Sequence, residues 1–188
     1  MSELLLFHHA QGLTPGVLAF ADDLRAAGHT VHTPDLYGGH TFDSLDDGVA
    51  YARELGFGKV TAKALQAAEG LPEALVYAGF SLGAAPAQQL AQTRAGARGA
   101  LLLHGVLPPS EFGVWPAALP AQVHAMRDDP YYAEDADAAR ELLGAAPRGE
   151  LFLYPGAAHL FTDRSLPAYD AGAAALLEGR VLAFLADL

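Results

Sequence analysis

Short apolar runs alternate along this chain with longer stretches in which apolar residues return every three or four positions. The short runs are typical of buried strands, and the longer stretches are typical of amphipathic helices. Six runs are predicted to be strands: Leu4 to His8, Thr30 to Thr33, Ala74 to Ala78, Ala100 to Leu103, Gln122 to Met126 and Glu150 to Tyr154. Strands that alternate with helices predict an α/β fold, a three-layer sandwich with a mostly parallel sheet of about six strands covered on both faces.

The predicted helices fill the intervals between these strands. Thr14 and Pro15 begin the first helix, since a capping hydroxyl followed by proline at the first helical position is a common helix start. Further helices are predicted at about 42–54, 60–69, 84–94, 133–143 and 169–185. Residues 106–120 hold four prolines and Trp115, and we expect this irregular segment to lie over the functional site.

The composition bounds the class of protein. At 188 residues and 52% hydrophobic, without a repeat or a linker-like segment, the chain is expected to form a single domain, residues 1–188. No run reaches the length of a membrane span and the first residues lead into an apolar strand, so we expect a cytoplasmic protein. The net charge of −11 argues against nucleic acid and anionic membranes as partners. The absence of cysteine excludes disulfides, thiolate metal sites and a cysteine nucleophile.

The pentapeptide Gly79-Phe80-Ser81-Leu82-Gly83 follows a predicted strand and precedes a predicted helix. A serine on such a tight turn has its hydroxyl pushed out of the sheet. It needs glycine on either side because a Cβ there would collide with the adjacent strand or helix. The motif also occurs by chance in a chain with 20 glycines, but the strand and helix around it favour a nucleophile elbow. Ser81 is therefore the candidate nucleophile.

A serine nucleophile needs a base and a carboxylate, which in this architecture follow it in chain order. His159 lies directly beyond the last predicted strand, and imidazole suits the role because it titrates near neutral pH and can take and return a proton. Asp128 and Asp129 follow the Gln122–Met126 strand, and either could orient the imidazole. Spacing alone does not choose between these adjacent residues.

Two backbone amides are expected to form an oxyanion hole. One is that of Leu82, directly after the nucleophile, and the other belongs to the loop after the first strand, around His9, Ala10 and Gln11. Aromatic residues close to these positions in sequence could line an acyl pocket or could pack in the core. We predict a substrate pocket formed by His9, Gln11, Phe80, Trp115 and Phe161.

Several segments, spread in order over nearly the whole chain, resemble the dienelactone hydrolase family of α/β-hydrolases. They are the His8–Pro15 loop, the Pro34–Gly39 turn, the Gly79–Gly83 elbow, the His124–Asp129 segment and Tyr154–Phe161. The family has a His-x-x-x-x-Asp arrangement at its acid strand, which runs here from His124 to Asp129, so the resemblance implies Asp129 as the carboxylate. It likewise implies that the second oxyanion amide is that of Ala10, with Gln11 as the alternative.

This chain departs from the family's namesake enzymes at several positions. Those enzymes use a cysteine nucleophile where this chain has Ser81, and a glutamate in the first loop where it has His9. They hold a substrate carboxylate with arginines, one of them four residues past the catalytic histidine, where this chain has Asp163 followed by Arg164. The departures favour a general serine esterase over an enzyme for an acidic lactone.

The sequence therefore predicts a serine hydrolase of small carboxylic esters or lactones that forms an acyl-enzyme on Ser81 and needs no metal or cofactor. Two alternatives stay open: a non-catalytic binding or sensor protein on the same scaffold, and an acyltransferase, which differs only in the acceptor. His29 and His32 have no Glu or Cys at ligand spacing, which argues against a metal site. The lack of Gly-x-Gly-x-x-Gly after the first strand likewise argues against a dinucleotide-binding dehydrogenase.

Overall fold

Six strands form one sheet in the computed structural model, which describes all 188 residues. Their bounds are Glu3–Phe7 (β1), Thr30–His32 (β2), Val76–Phe80 (β3), Gly99–Leu103 (β4), Ala121–Met126 (β5) and Gly149–Tyr154 (β6). The strands lie in the order β2-β1-β3-β4-β5-β6, and every neighbouring pair is parallel. The predicted α/β class with a six-stranded parallel sheet is confirmed.

Helices cover both faces of this sheet. They are Pro15–Ala26 (α1), Leu45–Leu55 (α2), Phe57–Ala67 (α3), Ala84–Thr93 (α4), Pro130–Ala145 (α5) and Ala171–Ala186 (α6). Helices α2 to α5 contribute to a buried cluster of 25 residues on one face, and α1 and α6 to a cluster of 20 on the other. Strands β3, β4 and β5 are buried along their whole length, which explains their unbroken apolar runs. None of the helices is long and apolar enough to cross a membrane.

Strand β3 begins and ends two residues later than predicted. Its ladder with β4 runs from the pair Val76 and Gly99 to the pair Phe80 and Leu103. The predicted Ala74–Ala78 strand was therefore wrong in its bounds, because the apolar run continues past Ala78 into two residues that are also buried. Gly79 and Phe80 belong to the strand, and Ser81 follows its last residue directly.

Three helix starts, those of α2, α3 and α5, were predicted three residues away from their observed positions, and side-chain caps explain two of them. Helix α2 begins at Leu45 because the Ser44 side chain accepts the Asp47 N–H at 3.1 Å and so caps the helix. Helix α5 begins at Pro130 because the carboxylate of Asp129 accepts the Tyr131 N–H. In α2 and α5 the side-chain cap therefore determines where the helix begins, which the spacing of apolar residues alone does not show.

Most of residues 106–120 lie along α4 and not over Ser81 as predicted, although Gly105, directly before this segment, lies against the Ser81 backbone. The side-chain amide of Gln92, in the last turn of α4, donates to the carbonyls of Pro109 and Gly113. Trp115 is buried in the core beneath this segment, and its indole N–H donates to the Leu119 carbonyl at 3.0 Å. The segment therefore packs along α4 towards its C-terminal end, whereas Ser81 precedes the N-terminal end of that helix.

Candidate active site

Ser81 occupies a strained turn between β3 and α4. Its φ of 48° lies in the left-handed region, which costs a residue other than glycine on the order of 1–3 kcal/mol. A Cβ on Gly79 would lie 2.0 Å from the Gly83 carbonyl oxygen, and one on Gly83 would lie 2.6 Å from the Phe7 carbonyl oxygen. The two glycines allow the close approach, so the turn has the geometry of a nucleophile elbow.

A chain of hydrogen bonds joins Ser81, His159 and Asp129. The Ser81 Oγ lies 2.8 Å from the His159 Nε2, and the His159 Nδ1 lies 2.7 Å from the Asp129 Oδ2. Because the carboxylate accepts the proton on Nδ1, the lone pair on Nε2 faces the serine hydroxyl. The structure brings together the three side chains that follow β3, β5 and β6, and this arrangement can deprotonate the hydroxyl as it attacks.

Asp129 has a second contact that holds it in place. It is fully buried, and its Oδ1 accepts the Tyr131 N–H at 2.9 Å in the first turn of α5. Asp128 is exposed, and its backbone N–H donates to the Gly156 carbonyl. Of the two carboxylates that spacing left open, Asp129 is the one that contacts the imidazole.

The backbone amide of Ala10 is available near the elbow, whereas that of Gln11 is not. The Gln11 N–H donates to the His9 Nδ1 at 3.2 Å, while the Ala10 N–H donates to no backbone carbonyl in the loop. Leu82 lies in the short turn that leads into α4, where helix-start amides lack an intrahelical acceptor. The Ala10 N–H is therefore unpaired within its loop, and the Leu82 N–H lies at a helix start beside the nucleophile.

The first loop lies against the elbow through backbone contacts. A Cβ on Gly83 would lie within 2.7 Å of the carbonyl oxygens of both Phe7 and His8. On its outer side, a Cβ on Gly48 of α2 would lie 2.2 Å from the Ala10 carbonyl oxygen. The loop that carries the Ala10 amide is thus packed between the elbow and α2.

A buried carboxylate, that of Asp163, also lies near this loop. It accepts hydrogen bonds from four donors: His9 Nε2 at 2.8 Å, Thr14 Oγ1 at 2.5 Å, Ser165 N at 2.8 Å and Ser165 Oγ at 2.6 Å. Burial alone would raise the pKa of Asp163, but these hydrogen bonds outweigh burial and lower the pKa to about 2. Sequence reasoning placed Asp163 where a substrate-binding arginine is expected and did not foresee its pairing with His9.

His104 was also missed by sequence reasoning. It follows β4 with a φ of 62°, its Nε2 lies 2.7 Å from the Thr162 Oγ1, and its Nδ1 has no hydrogen-bond partner. Burial lowers its pKa well below the usual value, so the ring is neutral beneath His159, with ring centroids 6.1 Å apart. The one feature of the sequence that could have indicated His104 is that it interrupts an apolar run at the end of a strand.

The residues predicted to line a substrate pocket are all buried. Phe80, Phe161 and Trp115 pack in the two core clusters, His9 pairs with Asp163, and the Gln11 side chain donates to the Phe42 carbonyl. Their location does not support a pocket lined by these side chains. The aromatic residue at the accessible side is Tyr131, which is 42% exposed and whose ring centroid lies 4.2 Å from that of His159.

Ser81 and His159 line none of the five main clefts, whose volumes run from 250 to 440 Å³. The cleft of about 380 Å³ beside the C-terminal half of α4 is lined by residues 91–97, 116, 118 and 119. Cleft size therefore does not locate a functional site in this molecule. The candidate site is at Ser81, where the hydrogen-bonded chain to His159 and Asp129 provides groups that can act in acyl transfer.

Comparison with known proteins gives one family match over nearly the whole chain. The model of the dienelactone hydrolase family matches residues 3–188. No curated protein sequence matches the chain.

Solved structures share the fold at low sequence identity. A dienelactone hydrolase-like promiscuous phosphotriesterase from metagenomic libraries is 23% identical with a TM-score of 0.75, covering 100% of this chain and 87% of that one. Esterase 2 of Thermogutta terrifontis, phosphoramylated by tabun, is 19% identical with a TM-score of 0.63, over 99% and 83% of the two chains. A fungal esterase of Rhizomucor miehei is 15% identical with a TM-score of 0.70, over 100% and 73%.

Proposed function

The chain belongs to the dienelactone hydrolase family of α/β-hydrolases, and we propose that it hydrolyses small carboxylic esters or lactones through an acyl-enzyme on Ser81. The observation that carries this proposal is the hydrogen-bonded chain from the Ser81 hydroxyl through His159 to the buried Asp129. Every member of that chain is within 2.8 Å of the next, which is the geometry required for proton transfer during attack.

In the first step the Ser81 Oγ attacks the ester carbonyl carbon while the His159 Nε2 takes the hydroxyl proton. The carbonyl oxygen becomes an oxyanion that accepts hydrogen bonds from the Leu82 and Ala10 amides. Asp129 stabilises the imidazolium and keeps its orientation without taking up its proton. His159 then returns the proton to the leaving oxygen, the carbon–oxygen bond breaks, and the alcohol departs.

In the second step a water molecule replaces the alcohol. His159 takes a proton from the water as its oxygen attacks the acyl carbon, and the same two amides hold the second oxyanion. Collapse of this intermediate returns the proton to the Ser81 Oγ and releases the carboxylic acid. The two steps together consume the ester and one water molecule and regenerate the free enzyme.

The charges around the site favour an uncharged acyl group. At the position four residues past His159 the side chain is the buried Asp163 carboxylate, held by His9. The neighbouring Arg164 forms an ion pair with Asp23 at the surface. Neither residue offers a free cation to a substrate carboxylate, so we propose neutral esters and lactones as the substrates.

Replacement of Ser81 by alanine tests the proposal. We expect turnover of nitrophenyl acetate to fall by about 10³-fold or more, because no other group can form the acyl-enzyme. The matched control is Ser110→Ala, which removes an exposed hydroxyl and leaves turnover unchanged. A fluorophosphonate should label the wild type on Ser81 alone, as shown by mass spectrometry of the peptides.

Two further outcomes separate the alternatives. A wild-type protein that neither turns over esters nor reacts with the fluorophosphonate is a binding protein on a hydrolase scaffold. If added alcohol or amine captures most of the acyl group in competition with water, the protein is an acyltransferase.

A further inference from the structure

His9 and Asp163 form a buried pair that joins two loops separated by 154 residues in sequence. Their side chains are 1% and 2% exposed, so neither can touch a substrate directly. The two loops are nevertheless those that carry the Ala10 amide and the His159 imidazole.

The hydrogen bonds to His9 determine where its ring proton lies. The Gln11 N–H donates to Nδ1, so Nδ1 has a free lone pair and the proton is on Nε2. The protonated Nε2 then donates to the Asp163 Oδ2 at 2.8 Å. The ring is therefore fixed at both nitrogens, in one tautomer and one orientation.

This orientation selects which amide of the loop stays free. By accepting from Gln11, the His9 ring removes that N–H from competition for an oxyanion. The His9 carbonyl accepts from the Gly12 N–H at 3.0 Å and from the His8 Nδ1 at 2.8 Å. Because N–H and C=O of a trans peptide point in opposite directions, the Ala10 N–H of the same peptide unit points away from these donors.

Asp163 connects this arrangement to the loop that follows β6. Its backbone N–H donates to the Leu160 carbonyl, one residue past His159. Its side chain occupies the space beside Gly16, where a Cβ would lie 1.7 Å from the Oδ1. Movement of the carboxylate would therefore disturb the first turn of α1 and the contact with His9 in the first loop.

We propose that Asp163 is a positioning residue that acts through His9 to hold the Ala10 amide in the oxyanion hole and to keep the amide loop in register with the His159 loop. This inference rests on the proposed function, since an oxyanion hole has a role only in acyl transfer. In this role the buried His9–Asp163 pair helps to stabilise the transition state although neither side chain contacts the substrate.

The substitution Asp163→Asn tests this role. The asparagine side chain offers one acceptor oxygen where four donors converge, and its NH2 group faces a donor. We expect kcat for nitrophenyl acetate to fall by about 10- to 100-fold, less than for outright loss of an oxyanion donor, while KM changes by less than about threefold. Affinity for an alkyl boronic acid, whose adduct on Ser81 carries a tetrahedral anion, should fall by the same factor as kcat/KM.

The matched control is Asp170→Asn. This substitution removes the same charge from a residue of the same loop. The carboxylate of Asp170 caps α6 by accepting the Ala173 N–H at 3.0 Å, and asparagine caps a helix equally well. This variant should keep wild-type kcat and boronate affinity. Thermal melts of both variants show whether each is folded.

A second variant covers the case in which Asp163→Asn does not fold. His9→Asn keeps an acceptor for the Gln11 N–H but no longer reaches Asp163, which retains its bonds from Thr14 and Ser165. We expect the same loss of kcat and of boronate affinity. A folded variant of either kind with wild-type kcat and boronate affinity, or one that changes only KM, would overturn the inference. A wild type without ester turnover would overturn the proposed function and this inference with it.

Discussion

Tyr131 contacts two members of the hydrogen-bonded chain at once. Its ring lies against the imidazole of His159, with centroids 4.2 Å apart and planes inclined by 33°, and its backbone N–H donates to the Asp129 Oδ1 at 2.9 Å. The backbone contact survives any change of side chain. Substitutions at Tyr131 therefore test the ring alone.

We expect Tyr131→Ala to lower kcat/KM for nitrophenyl esters by about 2- to 10-fold, the range that corresponds to the loss of one aromatic contact. The expected loss reflects the contact of the ring with the imidazole and the apolar surface that the half-exposed ring would offer a leaving aryl group. Steady-state kinetics on nitrophenyl and ethyl acetate provide the measurement, with Tyr131→Phe as the control that keeps the ring. An alanine variant that matches the wild type on both esters would contradict this role.

Asp129→Asn should separate catalysis from folding. Asparagine caps helices as well as aspartate does, so we expect the melting temperature to stay within a few degrees of the wild type. The single amide oxygen cannot accept from both the Tyr131 N–H and the His159 Nδ1. If it keeps the helix cap, the NH2 group faces Nδ1 and the ring proton moves to Nε2, the tautomer that cannot deprotonate Ser81, so kcat should fall by about 10⁴-fold. Asp128→Asn, which changes the exposed neighbour, should have no effect on kcat. Loss of activity in the Asp128 variant alone would show that the assignment of the carboxylate is wrong.

An anionic acyl group should be disfavoured. We expect kcat/KM for a nitrophenyl benzoate to exceed that of its para-carboxylate derivative by about 15-fold, the factor for two like charges roughly 10 Å apart at an effective dielectric constant of about 20. The charges responsible are the carboxylates of Asp129 and Asp163 and the overall net charge of −11. Added salt should narrow the gap by screening. Faster turnover of the anionic ester at low salt would argue that a cation of the protein holds the carboxylate.

The buried histidines should make the fold sensitive to mild acid. Burial lowers the pKa of His8 to about 4 and that of His124 to about 3, whereas an unfolded histidine titrates near 6.5. Between pH 6.5 and about 4 the unfolded chain binds protons that the folded chain does not. The free energy of unfolding should therefore fall as the pH falls, by up to about 1.4 kcal/mol per pH unit for each histidine.

Urea unfolding at several pH values between 7.5 and 5 measures this slope. His124→Gln removes one buried imidazole, so its free energy of unfolding should depend less steeply on pH than that of the wild type by about one proton. His40→Gln, which changes an exposed histidine, is the control and should keep the wild-type slope. A His124 variant with the wild-type slope would show that this residue does not contribute.

Much of the fold was predictable because buried parallel strands have continuous apolar runs. The predicted strands were correct in number and order. Chain order at the strand ends pointed to Ser81, His159 and two neighbouring carboxylates, and the structure brings Ser81, His159 and Asp129 together. The choice between Asp128 and Asp129 depends on the direction in which adjacent side chains point at the end of β5, which spacing does not determine. Only the three-dimensional structure shows that the side chain of Asp128 is exposed and that of Asp129 is buried.

What the sequence could not predict were contacts between distant segments. The pairing of His9 with Asp163 spans 154 residues, and neither residue belongs to a local motif that would indicate the other. Trp115 was placed in a substrate pocket because its segment was expected to lie over the site, yet burial of its large apolar surface places it in the core. Composition shows that an aromatic residue will be buried somewhere, and only the packed structure shows against which neighbours.

The left-handed backbone at Ser81 has a consequence for descendants of this protein. At a φ of 48° glycine or asparagine would fit with less strain than serine, so serine at this position lowers the folding stability. A lineage that no longer needed the reaction would gain stability by replacing it. The residue at position 81 in related chains therefore indicates which of them are still under selection for chemistry and which for the scaffold alone.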